Sequence, residues 1–236
     1  MVDINRHKFF LLQLLKEIYS DPELASILGF KGGTALMFFY DLPRFSVDLD
    51  LDLLDPDKAG IVYHKIRDIV LKYGSIFDGA KKHFGVLVVL DYVRGERKLK
   101  IEISGRQFNS RYEIKDLLGF SVKVMVLPDM FAHKLCALTD RKIPIHRDIF
   151  DTWFFLQRRT PVNKAIVETR MKMSFGEYLE RCIDLLKSLK GRHLLDGLGE
   201  LTDPAMKIFV RTKLLQETIR LLRIFKEYPL FDGEKR

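Results

Sequence analysis

Residues 46–53 read Ser-Val-Asp-Leu-Asp-Leu-Asp-Leu, a strict alternation of apolar and acidic side chains. On a strand, successive side chains point to opposite faces, so Asp48, Asp50 and Asp52 share one face while Val47, Leu49, Leu51 and Leu53 face a core. Three carboxylates two residues apart repel one another, and the arrangement is costly unless something positive sits among them. A hard divalent cation suits that position, because it takes oxygen ligands and keeps its remaining sites for waters or substrate phosphates. An exposed edge strand that uses charge to resist aggregation produces the same pattern. The strand alone leaves both readings open.

A second alternating run, Lys98-Leu99-Lys100-Ile101-Glu102-Ile103-Ser104, sets Leu99, Ile101 and Ile103 against Lys100, Glu102 and Ser104. If this strand lies beside the first, Glu102 completes a carboxylate cluster of the kind that two-metal phosphoryl transfer requires, one ion activating the attacking oxygen and the other holding the triphosphate. The alternative is a surface pair of Glu102 with Lys100 or Arg97. Upstream, Phe30-Lys31-Gly32-Gly33-Thr34-Ala35-Leu36 joins a short apolar stretch to a helix start. Glycines let a backbone approach an anion closely, and the free N–H groups of a following helix favour phosphate. A lone glycine pair marks only a turn; this one gains weight because fourteen residues, Thr34 to Val47, separate it from Asp48. Lys31 and Arg44 flank that connection as phosphate contacts or ordinary surface charges, and Thr34 and Ser46 offer hydroxyls.

The elements that must position these groups follow from periodicity. Phe9, Leu12, Leu15 and Ile18 form one stripe of a helix over 5–19, and Asp21-Pro22 opens a short second one. Residues 34–40 make a helical turn or two, residues 45–54 the first strand, and residues 56–73 a helix started by Asp55-Pro56. Strand-like runs follow at 84–93, 99–104 and 120–127. From Pro128 the chain reads as helical, over about 129–141, 147–158, 174–190 and 204–227, with Asp232 to Arg236 a frayed tail. The fold class is therefore α+β: an N-terminal α/β domain with a small mixed sheet, residues 1–127, then an all-helical C-terminal part, residues 128–236.

The chain has 236 residues, 47% hydrophobic and 11% aromatic, enough for a full core, which excludes a disordered tail, a collagen-like repeat or a coiled coil. No apolar run approaches the roughly 20 residues of a membrane helix, and charges interrupt the first apolar stretch too early for a signal peptide. The expectation is a soluble, cytoplasmic protein with no membrane partner. Cys136 and Cys182 lack metal or disulfide spacing and read as buried small hydrophobes. The net charge is +8, and residues 131–236 hold 21 Lys+Arg against 14 Asp+Glu, so most of the excess lies in the helical half. Such an excess fits either a polyanion such as nucleic acid or a solvated helical face.

The glycine pair, then Asp48-Leu49-Asp50-Leu51, then an acid on a later strand, resembles the signature of the DNA polymerase β-like nucleotidyltransferase superfamily. The longer text, Phe30 to Leu36 followed by Leu42-Pro43-Arg44-Phe45-Ser46-Val47-Asp48-Leu49-Asp50-Leu51, is similar to the AbiEii/AbiGii-type toxin nucleotidyltransferases. So is Lys134-Leu135-Cys136-Ala137-Leu138, Arg141, then Arg147-Asp148-Ile149-Phe150-Asp151; the matching motifs run from about residue 30 to 155. The resemblance implies a polymerase β-like fold and metal-dependent transfer of a nucleotide from an NTP to an acceptor, RNA and in particular tRNA, by the toxin of a toxin–antitoxin or phage-defence pair whose antitoxin is encoded nearby. It implies Mg²⁺ or Mn²⁺ at Asp48, Asp50 and Glu102, where many relatives have Asp in the third position. It implies a triphosphate along Gly32 and Gly33 with Thr34, Arg44 and Ser46 beside it, and help with catalysis from Lys134 and Asp148.

Read without the family, Lys134, Asp148 and Asp151 can meet across a helix pair, as a catalytic group or as a structural salt-bridge network. Trp153, Phe154 and Phe155 read as core. Two other functions compete with nucleotide transfer: a glycosyltransferase using Asp48-Leu49-Asp50 on a nucleotide-sugar, and a non-catalytic module of the same fold that binds RNA or protein.

Overall fold

The computed structural model describes residues 3–140, 146–189, 198 and 203–233. The chain forms two compact units, Met1–Gln107 with Tyr112–Met125, and Phe108–Arg111 with Val126–Arg236.

The first unit opens with α1 (Ile4–Ser20), capped by Asp3, whose carboxylate accepts from Arg6 N–H. Its buried side consists of His7, Leu11, Leu14, Leu15 and Ile18. The stripe is thus rotated from the sequence expectation, and Phe9 is exposed. Asp21 caps α2 (Pro22–Ile27), with proline in the first turn where its missing N–H costs nothing. Then come β1 (Leu28–Lys31), α3 (Gly32–Phe39), β2 (Leu49–Leu53), α4 (Ala59–Leu71), β3 (Ser75–Lys82), β4 (Gly85–Asp91), β5 (Leu99–Ser104), β6 (Tyr112–Leu117) and β7 (Phe120–Met125). The strand before the glycine pair is therefore the first, and the acidic strand the second. The sheet is also larger than the sequence suggests: seven strands in the order β3-β4-β5-β2-β1-β7-β6. It is mixed, with β2 parallel to β5 and β1 parallel to β7, and the other pairs antiparallel.

Leu49, Leu51 and Leu53 of β2, Leu99, Ile101 and Ile103 of β5, and Val86, Val88 and Leu90 of β4 are all buried. Helix α4 packs on β3 and β4, α1 packs on α4 and β7, and Val62, Ile66, Ile69 and Val70 form the buried side of α4. Within this core lies one imidazole. His7 Nε2 is 2.8 Å from the Val47 carbonyl and Nδ1 is 2.7 Å from Tyr92 Oη. A carbonyl only accepts, so Nε2 carries the proton and Nδ1 accepts from the tyrosine. Burial holds the His7 pKa below its ordinary value, against the pull of the Val47 carbonyl and the Asp48 charge.

The second unit contains α5 (Leu127–Ala137), α6 (His146–Gln157), α7 (Lys164–Met171), α8 (Phe175–Ser188), α9 (Pro204–Thr212) and α10 (Leu214–Glu227). Helix α7 adds to the four expected, and the long last helix breaks at Lys213, whose φ of −129° is not helical. Phe131 stacks on Phe155 at 4.9 Å, and Trp153, Phe154, Phe155 and Tyr178 are buried, as expected of core aromatics. Cys136 and Cys182 are buried free thiols whose pKa values burial pushes up to about 12. Asp129 is fully buried and accepts from Arg111 N–H and guanidinium and from Asn163 Nδ2. Arg111 also reaches Asp232 at 2.5 Å, and Asp232 N–H donates to the Val162 carbonyl. Asp232 is therefore anchored and not part of a frayed tail. Residues 234–236 and Arg141 lie outside the described residues.

Lys134 of α5 meets Asp151 of α6 at 2.7 Å, and the Asp151 carboxylate is fully buried. Removing the lysine takes a cation away from a fully buried carboxylate, so Lys134→Met is expected to lower unfolding free energy by about 3–5 kcal/mol, measured by urea denaturation. Lys134→Met with Asp151→Leu should recover most of the loss; no recovery would show that the lysine stabilises through other contacts.

The His7 environment sets a second expectation. A depressed folded-state pKa means that the unfolded chain binds the proton first, so stability present above the ordinary imidazole value of 6.5 is lost as pH falls from there toward the lowered folded value. Between about pH 7.5 and 5.5, the drop in melting temperature should be smaller for His7→Phe than for the parent chain. An equal drop would mean that His7 does not titrate in this range.

Candidate active site

The acid face is built by strand register. Strand β2 pairs with β5 so that Asp50 lies opposite Glu102, Leu49 opposite Ile101 and Asp52 opposite Ser104. Opposed residues of neighbouring strands share a face about 5 Å apart, which sets Asp50 and Glu102 at neighbouring positions on one face. Asp48 precedes β2 by one residue and, two before Asp50, belongs to the same face. The register thus sets acids of the two alternating runs on one face, and their oxygen donors are of the kind that hard divalent cations take.

The three aspartates of the run do not share one role. Asp52 is buried, and its carboxylate is held by Lys31 Nζ and by Tyr112 Oη at 2.7 Å. Lys31, a possible phosphate contact in the sequence, is thus engaged by Asp52. Lys100 serves the other end of the row: its Nζ is 2.8 Å from Glu102 Oε2 and 3.8 Å from Asp48 Oδ2. Glu102 thus stands opposite Asp50 in the register and pairs with Lys100. Burial opposes charge on both partners and is outweighed: the hydrogen bond from Lys100, then the charges of Lys100, Lys82 and Lys31, hold the Glu102 carboxyl below its usual range. The same bond, with the charges of Asp48, Glu102 and Asp50, raises the Lys100 ammonium. Among the described residues, no three His, Cys, Asp or Glu side chains converge as a metal cage.

The glycine pair closes on the same face from the other side. Gly32 has φ +84°, a conformation that favours glycine, and a Cβ there would lie 2.5 Å from Asp50 Oδ2. A Cβ on Gly33 would lie 2.7 Å from Ser46 Oγ and 2.8 Å from Arg44 Nη2. Thr34 is fully buried, and its hydroxyl donates to the Asp48 carbonyl. Three consecutive residues at the start of α3 therefore each abut a member of the segment from Arg44 to Asp50. Arg44 and Ser46 are themselves buried, with Arg44 Nη1 donating to the Phe45 carbonyl at 3.2 Å. The N-terminus of α3 has no side-chain cap, which leaves first-turn N–H groups available to an anion.

The structure thus gathers Gly32, Gly33, Thr34, Arg44, Ser46, Asp48, Asp50 and Glu102. Lys134 and Asp148 belong to the second unit, where Lys134 pairs with Asp151 and Asp148 stands half-buried in the first turn of α6. Two contributors escaped the sequence reading. Tyr112 sits on a strand with no alternating pattern to announce it. His7 fixes the carbonyl just before Asp48 from a helix forty residues away in sequence, and its one signal is a histidine among the apolar positions of α1.

No curated protein matches the sequence. Solved structures resemble nearly the whole chain. JHP933 from Helicobacter pylori is 20% identical with a TM-score of 0.60, covering 95% of this chain and 92% of its own. The nucleotidyltransferase toxin MenT4 from Mycobacterium tuberculosis H37Rv is 16% identical with a TM-score of 0.62, covering 94% and 84%. At such identities the likeness establishes the fold, in agreement with the polymerase β-like expectation. Residues 13–217 match the family described as "Nucleotidyl transferase AbiEii toxin, Type IV TA system". With most of its length inside that match, glycines and acid strand included, the chain belongs to the AbiEii family of nucleotidyltransferase toxins.

Proposed function

We propose that this protein transfers a nucleotide from an NTP to an RNA acceptor, tRNA in particular, and that a cognate antitoxin restrains it in the cell. The observation that carries the reading is the register of Asp50 against Glu102 with Gly32 closed on Asp50. A purely structural sheet gains nothing from paired carboxylates beside a cap-free helix start. The glycosyltransferase alternative falls with the family match.

Asp48, Asp50 and Glu102 would hold Mg²⁺ or Mn²⁺, which supplies charge neutralisation for the triphosphate and for the attacking oxygen. Their oxygen chemistry and shared face suit such an ion, and the three side chains, which do not converge in the structure described, would close on it when it binds. The remaining work falls to the chain itself. Gly32 and Gly33 bring backbone N–H groups within reach of phosphate oxygens, since no Cβ intervenes. Arg44 would add a guanidinium at Gly33, and Ser46 a hydroxyl. Thr34 acts on the chain itself, pinning the Asp48 carbonyl so that the acid segment holds its distance from α3. The acceptor hydroxyl then displaces pyrophosphate at the α-phosphorus. The resemblance assigns Lys134 and Asp148 supporting parts, and the excess of cations in residues 131–236 suits a polyanionic acceptor. Localisation in the cytoplasm accords with the absence, among the described residues, of any helix long and apolar enough to cross a membrane.

The direct test is incubation with Mg²⁺, each α-labelled NTP in turn and total RNA, beside Asp48→Ala. Label should enter a discrete RNA band with the parent chain alone, naming the nucleotide and the acceptor. Label in protein or small molecules instead would overturn the RNA acceptor, and no label anywhere would favour the binding module.

Gly32→Ala examines the glycine contact. The added methyl both strains a φ of +84° and overlaps the Asp50 carboxylate. Transfer, read as kcat/KM, should fall on the order of a hundredfold from misplacement of the acid. Activity close to that of the parent chain would show that the triphosphate does not depend on this contact.

A further inference from the structure

The carboxylate face contains two lysines in different situations. Lys31 is held by Asp52, a buried carboxylate that also accepts from Tyr112, and it acts on Glu102 only through its charge. Lys100 lies among the other three carboxylates: it bonds Glu102 Oε2, stands 3.8 Å from Asp48 Oδ2 and is held charged by Asp50 as well. Its side chain is 36% exposed and that of Glu102 51% exposed, so the ammonium can swing out on its four-carbon stem without leaving a buried hole.

We propose that Lys100 is a resident counter-ion of the Asp48–Asp50–Glu102 face, displaced whenever a divalent cation enters. The inference rests on the nucleotidyltransferase reading, which puts the metal on these carboxylates. The oxygens that Lys100 engages belong to two of the three residues that would ligate the ion. A hard cation binds through such oxygens and excludes an ammonium from them. The same geometry helps to explain why the acid row is tolerated without metal: three carboxylates at strand spacing repel one another, and the Lys100 charge, bonded to one of them and nearest to a second, relieves part of that repulsion. Lys100 thus stabilises the metal-free fold and raises the divalent-cation concentration at which the site fills. Spacing contributes as well, because a lysine two residues before an acid on a strand necessarily shares its face.

The test is direct Mn²⁺ binding to the full chain without nucleotide, by electron paramagnetic resonance of the free ion, together with melting in EDTA. In Lys100→Met, Mn²⁺ should bind about tenfold tighter or more, since a competing unit charge within 4 Å is gone. The melting temperature in EDTA should be lower than that of the parent chain, and the rise on adding Mn²⁺ larger. Lys100→Gln, which keeps a hydrogen bond to Glu102 without the charge, should shift binding in the same direction and stands in if the methionine variant does not fold. Unchanged or weaker Mn²⁺ binding by both variants, with the parent chain binding Mn²⁺ and Asp50→Asn abolishing it, would overturn the role of Lys100 and leave the metal site standing. A parent chain that binds no Mn²⁺, or binds it equally well as Asp50→Asn, would overturn the metal site and this inference together.

Discussion

Burying Leu49, Leu51 and Leu53 forces Asp48, Asp50 and Asp52 onto the opposite face of β2, and the rest of the site follows from that constraint. Each leucine stabilises the fold by roughly 1.5–3 kcal/mol. A one-residue slip would forfeit all three contributions and drive carboxylates into the core, so the register is strongly specified. With β2 fixed, its neighbours supply the partners. The parallel strand β5 brings Glu102 to Asp50, and the antiparallel strand β1 brings Lys31 and the glycine pair to the other side. The acids are thus placed by the hydrophobic effect acting on residues that are not acids.

The segment just before β2 has no strand ladder to hold it, and side chains take over that work. His7 binds the Val47 carbonyl and Thr34 the Asp48 carbonyl. Asp48 is therefore positioned through its backbone, while its carboxylate faces Lys100 across a looser 3.8 Å. A rigid main chain with a loosely held carboxylate suits a group that must exchange one cation for another.

Much of this was legible in the sequence, and the limits have physical causes. Strands β2 and β5 alternate cleanly because one of their faces is buried and the other is not. Strand β1 has four residues, too few for a period to register. Strands β3 and β6 lie at the two edges of the sheet and are mostly exposed or half-buried, so nothing enforces alternation on them. The glycine pair was readable as a turn, but its clash partners, Asp50, Ser46 and Arg44, emerge only from the fold. Lys134 and Asp151 were readable as partners of a helix pair. That Asp151 is fully buried was beyond reach of the spacing.

The chain returns to the first unit after lending Phe108–Arg111 to the second. Arg111, at the end of that loan, neutralises the buried Asp129 and tethers Asp232 near the far end of the chain. A cut near residue 126 would strand Asp129 without its guanidinium, a carboxylate buried with no cation beside it. The helical unit is consequently not a separable cassette: grafting it elsewhere by a single crossover near residue 126 would leave behind the guanidinium that its interior relies on.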